Sequence, residues 1–301
     1  LVLPFSRLSS RRHDSPDRCS QYKETLIFET HILESPLADC VETIFYYKDF
    51  KPDHSIERVV PTGHVFIIFE LDGFERHTFD NKSLKPNGTF KNVWISGMHK
   101  DFLSISAHQD SEMLIIQFKT NGAFPFFGTP INQLNDKVID AQDFFGNEIL
   151  ELRQKILNEK NPSGKFKHVE NWLKIKLDTT KTASAELKNV LSQLYKKPIS
   201  ESNKITASYP HSQKHLINQF KTYFGLTPKV FHRIFRFNEI LKQIQNKKQL
   251  KWVDIAYEFG YSDQSHFIKE FKEFSGFNPQ GFINSDFHKD EPNFFPLDRK
   301  G

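Results

Sequence analysis

Two sets of polar side chains, 51 residues apart, have the types and spacing to read an ordered array of hydrogen-bonding groups. The first set is Lys214, Asn218 and Lys221. The second is Ser265, Lys269 and Lys272, flanked by Gln264, His266 and Ile268. On a helix, at about 100° per residue, each set falls on one face. Asn and Gln can pair with the edge of adenine, Lys can donate to N7 and O6 of guanine, and Ser can bond either way. Lys214, Asn218, Gln264, Ser265, His266 and Lys269 are therefore candidate base contacts. Lys221 and Lys272, nearer the helix ends, are candidate phosphate contacts. His266 has a plainer alternative, capping its own helix. A polar helix face is ordinarily only solvated, so these faces gain meaning from what positions them.

The positioning elements are legible in Trp252–Phe282. Ile255, Ala256 and Phe259 form the apolar side of a short helix, and Gly260 ends it in the left-handed conformation that glycine tolerates. Ser262 or Asp263 caps a second helix, on which Phe267, Phe271 and Phe274 recur at i, i+4 and i+7, opposite the polar set. Two helices and a glycine turn predict a helix-turn-helix. The run A-x-x-x-G-Y-S-D-Q-S-H-F-x-K-x-F-K-x-x-x-G-x-x-P, unbroken from Ala256 to Pro279, resembles the signature of AraC/XylS-type transcription regulators.

A second copy precedes it. Phe220-Lys221-x-Tyr-x-Gly225-x-x-Pro228 recurs as Phe271-Lys272-x-Phe-x-Gly276-x-x-Pro279, and Thr206 to Ser212 matches Ala256 to Ser262 in spacing. The first copy departs from the family pattern at Ser202, Thr206, Pro210 and Asn218, which implies a smaller part in specificity. Here Leu216, Phe220 and Tyr223 are expected to point inward. Thr227 and Pro228 open a connecting helix, and its stripe Val230, Ile234, Phe237, Leu241 and Ile244 should pack on both units.

Charge follows this division. Residues 181–282 hold 16 Lys+Arg against 8 Asp+Glu, whereas residues 1–180 hold 22 against 25. A basic module beside a slightly acidic one suits a polyanionic partner. Cys19 and Cys40 form no ligand or redox pattern and read as ordinary thiols. The sequence contains no apolar run approaching a membrane span of about 20 residues, and its opening residues lack a signal-peptide core. A cytoplasmic location without membrane partners is expected.

From Val59 to Thr120 the pattern is β. His64–Leu71 is a buried strand, Asp72–Gly73 a tight turn from which Glu75–Phe79 pairs back, and Val93–Ser96, Leu103–Ala107 and Met113–Lys119 continue the series. Further turns are expected at Pro86–Asn87–Gly88 and near Gly97. Short strands between turn residues suggest a sandwich or small barrel. Glu148–Asn158 reads as a helix broken at Ser163–Gly164, with a second helix over Phe166–Leu177. The block IIQFKTNGAFPFFGTPINQLNDKVIDAQDFFGNEILELRQKI and the Pro61–Thr62–Gly63 turn resemble the β-rich N-terminal domain of one AraC-type subgroup, whose ligands are largely uncharacterised.

The chemistry of an enzyme is not evident. His54, His64, His77, His99 and His108 lack metal-ligand spacing, and no nucleophile elbow or phosphate-binding loop occurs. No cofactor or metal is expected. Phe66 and Trp94 are candidates to line a ligand cavity in the barrel.

The expected organisation is α+β: a disordered segment over 1–20, a β-rich, cupin-like sensor or dimerisation domain over 21–146, and a helical connector over 147–180. An all-α DNA-binding domain with two helix-turn-helix units follows over 181–285, then a flexible tail over 286–301. The expected function is sequence-specific transcription regulation in a bacterium. Double-stranded DNA is the partner, an unknown small molecule the effector, and RNA polymerase and a second copy of the chain are further candidate partners. The alternative is a cupin-like enzyme or a protein-interaction module carrying a helix-turn-helix tail.

Overall fold

The computed structural model describes residues 26–245, 247, 250–284 and 293–298. The reading of segment 1–20, Cys19 included, therefore lies outside the described residues.

The strands are β1 (Ile27–His31), β2 (Val41–Phe50), β3 (Ile56–Val59), β4 (Phe66–Glu70), β5 (Arg76–Phe79), β6 (Pro86–Phe90), β7 (Val93–Ser96), β8 (Leu103–Ser106), β9 (Ser111–Phe118), β10 (Val138–Asp140) and β11 (Phe294–Pro296). They form two sheets, ordered β1-β2-β9-β4-β7-β10 and β11-β3-β8-β5-β6. All paired strands are antiparallel.

Strand period explains the layers. Successive side chains alternate faces, so Ile44, Tyr46, Ile67, Phe69, Leu114 and Ile116 join one core while Phe45, Tyr47, Ile68, Trp94 and Ile115 join another. The first core is shared with α3 (Glu148–Asn158) and α4 (Pro162–Lys176), through Ile149, Leu152, Ile156, Phe166, Val169 and Leu173. The second faces the space between the sheets. Both faces of β4 are therefore occupied, which is why Phe66–Phe69 is an unbroken apolar run. Two shorter helices, α1 (Phe124–Phe127) and α2 (Ala141–Phe145), precede this pair. The stretch 147–180 thus packs on the first sheet through α3 and α4.

Four local expectations change. Asp72–Gly73 does not close a hairpin: β4 lies in the first sheet and β5 in the second, paired to β6 and β8. The Asp72 carboxylate instead accepts from Phe74 N–H and Arg76, which turns the chain across the sandwich. Pro86–Asn87–Gly88 is not a turn but part of β6. Proline is tolerated there because it opens an edge strand, and the turn lies before it, where Asp80 accepts from the N–H groups of Lys82 and Ser83. Ser163–Gly164 does not break a helix. Pro162 at the first helical position starts α4, and the break falls at Glu159–Asn161.

The fourth change concerns the end of the chain. Phe294–Pro296, expected within a flexible tail, is β11, and it pairs with β3 in the register Phe294 to Val59 and Pro296 to Glu57. Three apolar residues meet an otherwise unpaired sheet edge. The Asp298 carboxylate fixes the end by accepting from the N–H groups of Ser55 and Ile56 at 3.0 and 2.8 Å.

The C-terminal half is helical: α5 (Ala185–Lys196), α6 (Ser202–Thr206), α7 (Gln213–Phe224), α8 (Pro228–Ile244), α9 (Trp252–Glu258), α10 (Gln264–Ser275) and α11 (Pro279–Asn284). The β-rich half holds it at several points. The Asn238 side-chain N–H donates to Pro61 O at 2.9 Å, and Phe231 and Phe235 sit under Gly63. That glycine has φ +80°, which suits glycine, and a Cβ there would meet Phe235 at 3.3 Å. Asn135 donates to Gly225 O at 2.7 Å, and Phe124 packs on Tyr223 with centroids 4.6 Å apart.

Candidate nucleic-acid interface and effector cavity

The two helix pairs, α6–α7 and α9–α10, form from matching local rules. Ser212 accepts from His215 N–H at 3.2 Å to cap α7, and Asp263 accepts from His266 N–H at 2.8 Å to cap α10. Asp263, not Ser262, is therefore the cap, and ionisation as a cap holds its carboxyl below the usual range through the His266 N–H and the Ser262 hydroxyl. The caps are 51 residues apart, whereas the preceding helices start 50 apart, and the extra residue of the second unit is absorbed in α9, which is longer than α6. Gly260, at φ +73°, is the left-handed exit residue of α9.

The polar faces are where the sequence places them. Lys214, Asn218 and Lys221 are exposed on α7, and Ser265, His266, Lys269 and Lys272 are exposed on α10, with Gln264 half-buried. Among the described residues none of these lysines is in an ion pair, which leaves them free for phosphates or bases. The His266 ring stands edge-on to Tyr261 at 5.4 Å; the cap uses its backbone N–H, not its ring. On the inner faces Phe267, Phe271 and Phe274 are buried, as are Leu216 and Phe220. The third inward residue of α7 is Phe224, not Tyr223. Phe224 continues the i, i+4, i+8 row against Phe220, while Tyr223 turns to Phe124 of the β-rich half. Of the α8 stripe, Ile234, Phe237, Leu241 and Ile244 are buried and Val230 half-buried, so this helix is the shared spine of both units.

Sequence reasoning missed the group that anchors α10. Glu270, only 3% exposed, accepts from Arg233 Nε and Arg236 Nη2 at 2.7 Å each and from Tyr261 OH at 2.6 Å. Burial works against its charge, but the two arginines and Tyr261 outweigh that and hold the carboxyl below the usual range. Its signal was available: an acidic residue on the apolar side of α10, and two arginines three apart on α8. The corresponding residue of α7 is Gln219, which has no charge to bridge a pair of arginines.

Between the two sheets lies a cavity of about 550 Å³. Phe66 and Trp94, the two candidates, both line it. Beside them stand Phe45, Tyr47, Phe90 and Ile115, and the exposed Lys51 and Asp53 mark where it opens. Trp94 Nε1–H donates to Glu70 at 2.7 Å, and Arg76 Nε–H donates to the other Glu70 oxygen at 2.8 Å. Burial pushes the Glu70 carboxyl up to about 7, against the pull of Arg76 and Trp94. The five histidines have separate partners: His54 faces Asp53 and Glu57, His64 the Phe118 carbonyl, His77 Thr89, His99 Ser96, and His108 Ser106. Among the described residues no three His, Cys, Asp or Glu side chains converge as a metal site would require.

Comparison with known proteins bears on both halves. Residues 207–285 match a helix-turn-helix domain family, over the segment that carries both polar faces. The C-terminal part of this chain is a helix-turn-helix domain of the AraC type, and the protein is a DNA-binding transcription regulator. Residues 31–140 of the regulator match a domain of unknown function (DUF6597), which supplies all the cavity lining except Phe294 and Pro296. No curated protein matches the regulator. Solved structures similar to it include an apo lysine-to-alanine variant of ToxT from Vibrio cholerae, at 14% identity and TM-score 0.41, covering 80% of this chain and 96% of that one. Another is Vibrio cholerae ToxT bound to an unsaturated fatty acid, at 12% identity and TM-score 0.39, covering 88% and 97%. No described helix of the regulator is long and apolar enough to cross a membrane.

Proposed function

We propose that an effector held in the cavity sets how tightly the two helix-turn-helix units bind DNA, and that β11 carries the signal. The observation that supports this is a two-faced strand. Phe294 and Pro296 line the cavity, while Phe295, fully buried between them in sequence, packs on Phe282 at 4.8 Å and Phe277 at 6.1 Å, just beyond α10. Arg58 on β3 adds a second tie. Its guanidinium donates to Ser275 O at 3.2 Å and lies over the Phe102 and Phe277 rings. Anything that moves the cavity wall at β3 and β11 therefore moves the end of the second recognition helix.

In this reading Gln264, Ser265, His266 and Lys269 read bases and Lys272 binds phosphate. Lys214, Asn218 and Lys221 do the same in a neighbouring groove with less effect on specificity. The protein is a binding regulator and not an enzyme. RNA polymerase and a second copy of the chain are its further partners, and the footprint length reports the second.

Filling the cavity tests the route without knowledge of the effector. Ile115→Trp, which places a large ring in the cavity, should change affinity for a selected DNA site about fivefold or more, the size of an ordinary coupling free energy. Phe295→Ala should remove that change in the double mutant, since it cuts the contact with Phe282. A shift of equal size in both backgrounds, with folding confirmed by circular dichroism, would contradict the β11 route.

A further inference from the structure

We infer that the cavity takes a neutral, flat, largely apolar molecule with one hydrogen-bond acceptor, and that Arg76 reads the acceptor. The inference rests on the proposal that the cavity is the effector site. Its walls are aromatic rings, Phe45, Tyr47, Phe66, Phe90 and Trp94, and its volume of about 550 Å³ lies in the range of small-molecule sites. Flat ring surfaces stack best on flat ligands.

Among the described lining residues, one buried side-chain polar atom lacks a partner, and it belongs to Arg76. Arg76 is 3% exposed and lines the cavity. Its Nε–H donates to Glu70 at 2.8 Å, and its Nη2 donates to Asp72 at 2.5 Å and Ser111 Oγ at 3.3 Å. Its Nη1 is buried with no partner among the described residues. A buried donor left unbonded is costly, more so on a charged group. An acceptor on the ligand would relieve that cost, and this is the recognition the site offers.

Charge selects neutrality. Glu70 and Asp72 already place two carboxyl groups on one guanidinium, and burial disfavours ionised Glu70 further. A ligand carboxylate would add another anion to the same cation in a low-dielectric space. An ammonium finds no spare carboxylate either, because the acidic lining residues Asp53 and Glu57 both face His54, at 3.0 and 3.3 Å. Near Arg76, burial and that guanidinium hold His108 below the usual imidazole range, so it adds no positive charge at neutral pH.

Three probes of one shape test this on the full chain: 2-acetylphenanthrene, 2-ethylphenanthrene and phenanthrene-2-carboxylate, followed by equilibrium dialysis and by the rise in melting temperature. The ketone should bind at least tenfold more tightly than the hydrocarbon and the carboxylate. Arg76→Lys keeps a cation between Glu70 and Asp72 but lacks the spare N–H, so it should abolish the ketone's advantage over the hydrocarbon. If that variant does not fold, Ile115→Trp leaves the Arg76 cluster intact and should lose the ketone at least tenfold. Equal binding of ketone and hydrocarbon would overturn the inference. So would equal binding of the carboxylate, no binding of any probe, or undiminished ketone binding in Ile115→Trp. These readouts involve no DNA. Failed selectivity with an Ile115→Trp effect on DNA affinity would remove the ligand class and leave the proposed function standing.

Discussion

Glu270→Ala is expected to destabilise the protein by about 3–5 kcal/mol, the cost of stranding buried charges when one partner of an ion pair is removed. The carboxylate bridges α8 and α10 through Arg233 and Arg236 and takes the Tyr261 hydroxyl as well. Without it Arg236, 12% exposed, loses its carboxylate partner, while Arg233, 24% exposed, keeps Glu273 at 2.7 Å. Urea unfolding at neutral pH measures the loss directly. Affinity for DNA should fall on every sequence, because the second recognition helix loses its anchor and not its reading face. The pH dependence has a definite sign. The folded pKa of Glu270 lies below its unfolded value. Its contribution is therefore complete above the unfolded pKa and lost as pH falls through the folded one. The gap between wild type and Glu270→Ala should narrow in acid. A neutral-pH loss under about 1 kcal/mol, the level of a surface pair, would show that the network does not anchor α10.

The C-terminal half was legible because its elements are specified locally. Gly260, Asp263 and the Phe267, Phe271, Phe274 row each act within one helix or turn, and each is found in that role. The cavity residues Phe66 and Trp94 lie on the neighbouring strands β4 and β7, whose alternate side chains face the space between the sheets. What failed depended on distant partners. The pairing of β5 is decided by β6 and β8, not by the turn before it. A short strand near the chain end is set by the free edge of β3, far away in sequence, which no local pattern announces. Glu270 was hidden because a charged residue on a helix reads as solvated until its partners on α8 are placed beside it. The same holds for Tyr223, whose ring is claimed by Phe124 from the other half.

The central claim is that the exposed face of α10 reads base sequence. The most direct measurement is a set of binding isotherms across a salt series, on a site selected from random DNA and on random DNA itself. The recognition helices should lie about one DNA turn apart, roughly 34 Å, so that one protomer reads adjacent major grooves. Lys269→Ala or Gln264→Ala should cost about 1–3 kcal/mol on the selected site and much less on random DNA, relaxing selection at one or two base pairs. Lys272→Ala should weaken both alike and make the salt slope shallower by about one unit. Lys214→Ala and Asn218→Ala should matter less, since α7 lacks the ionic anchor of α10. Loss of equal size on selected and random DNA for both Lys269→Ala and Gln264→Ala would contradict the assignment of that face to base reading.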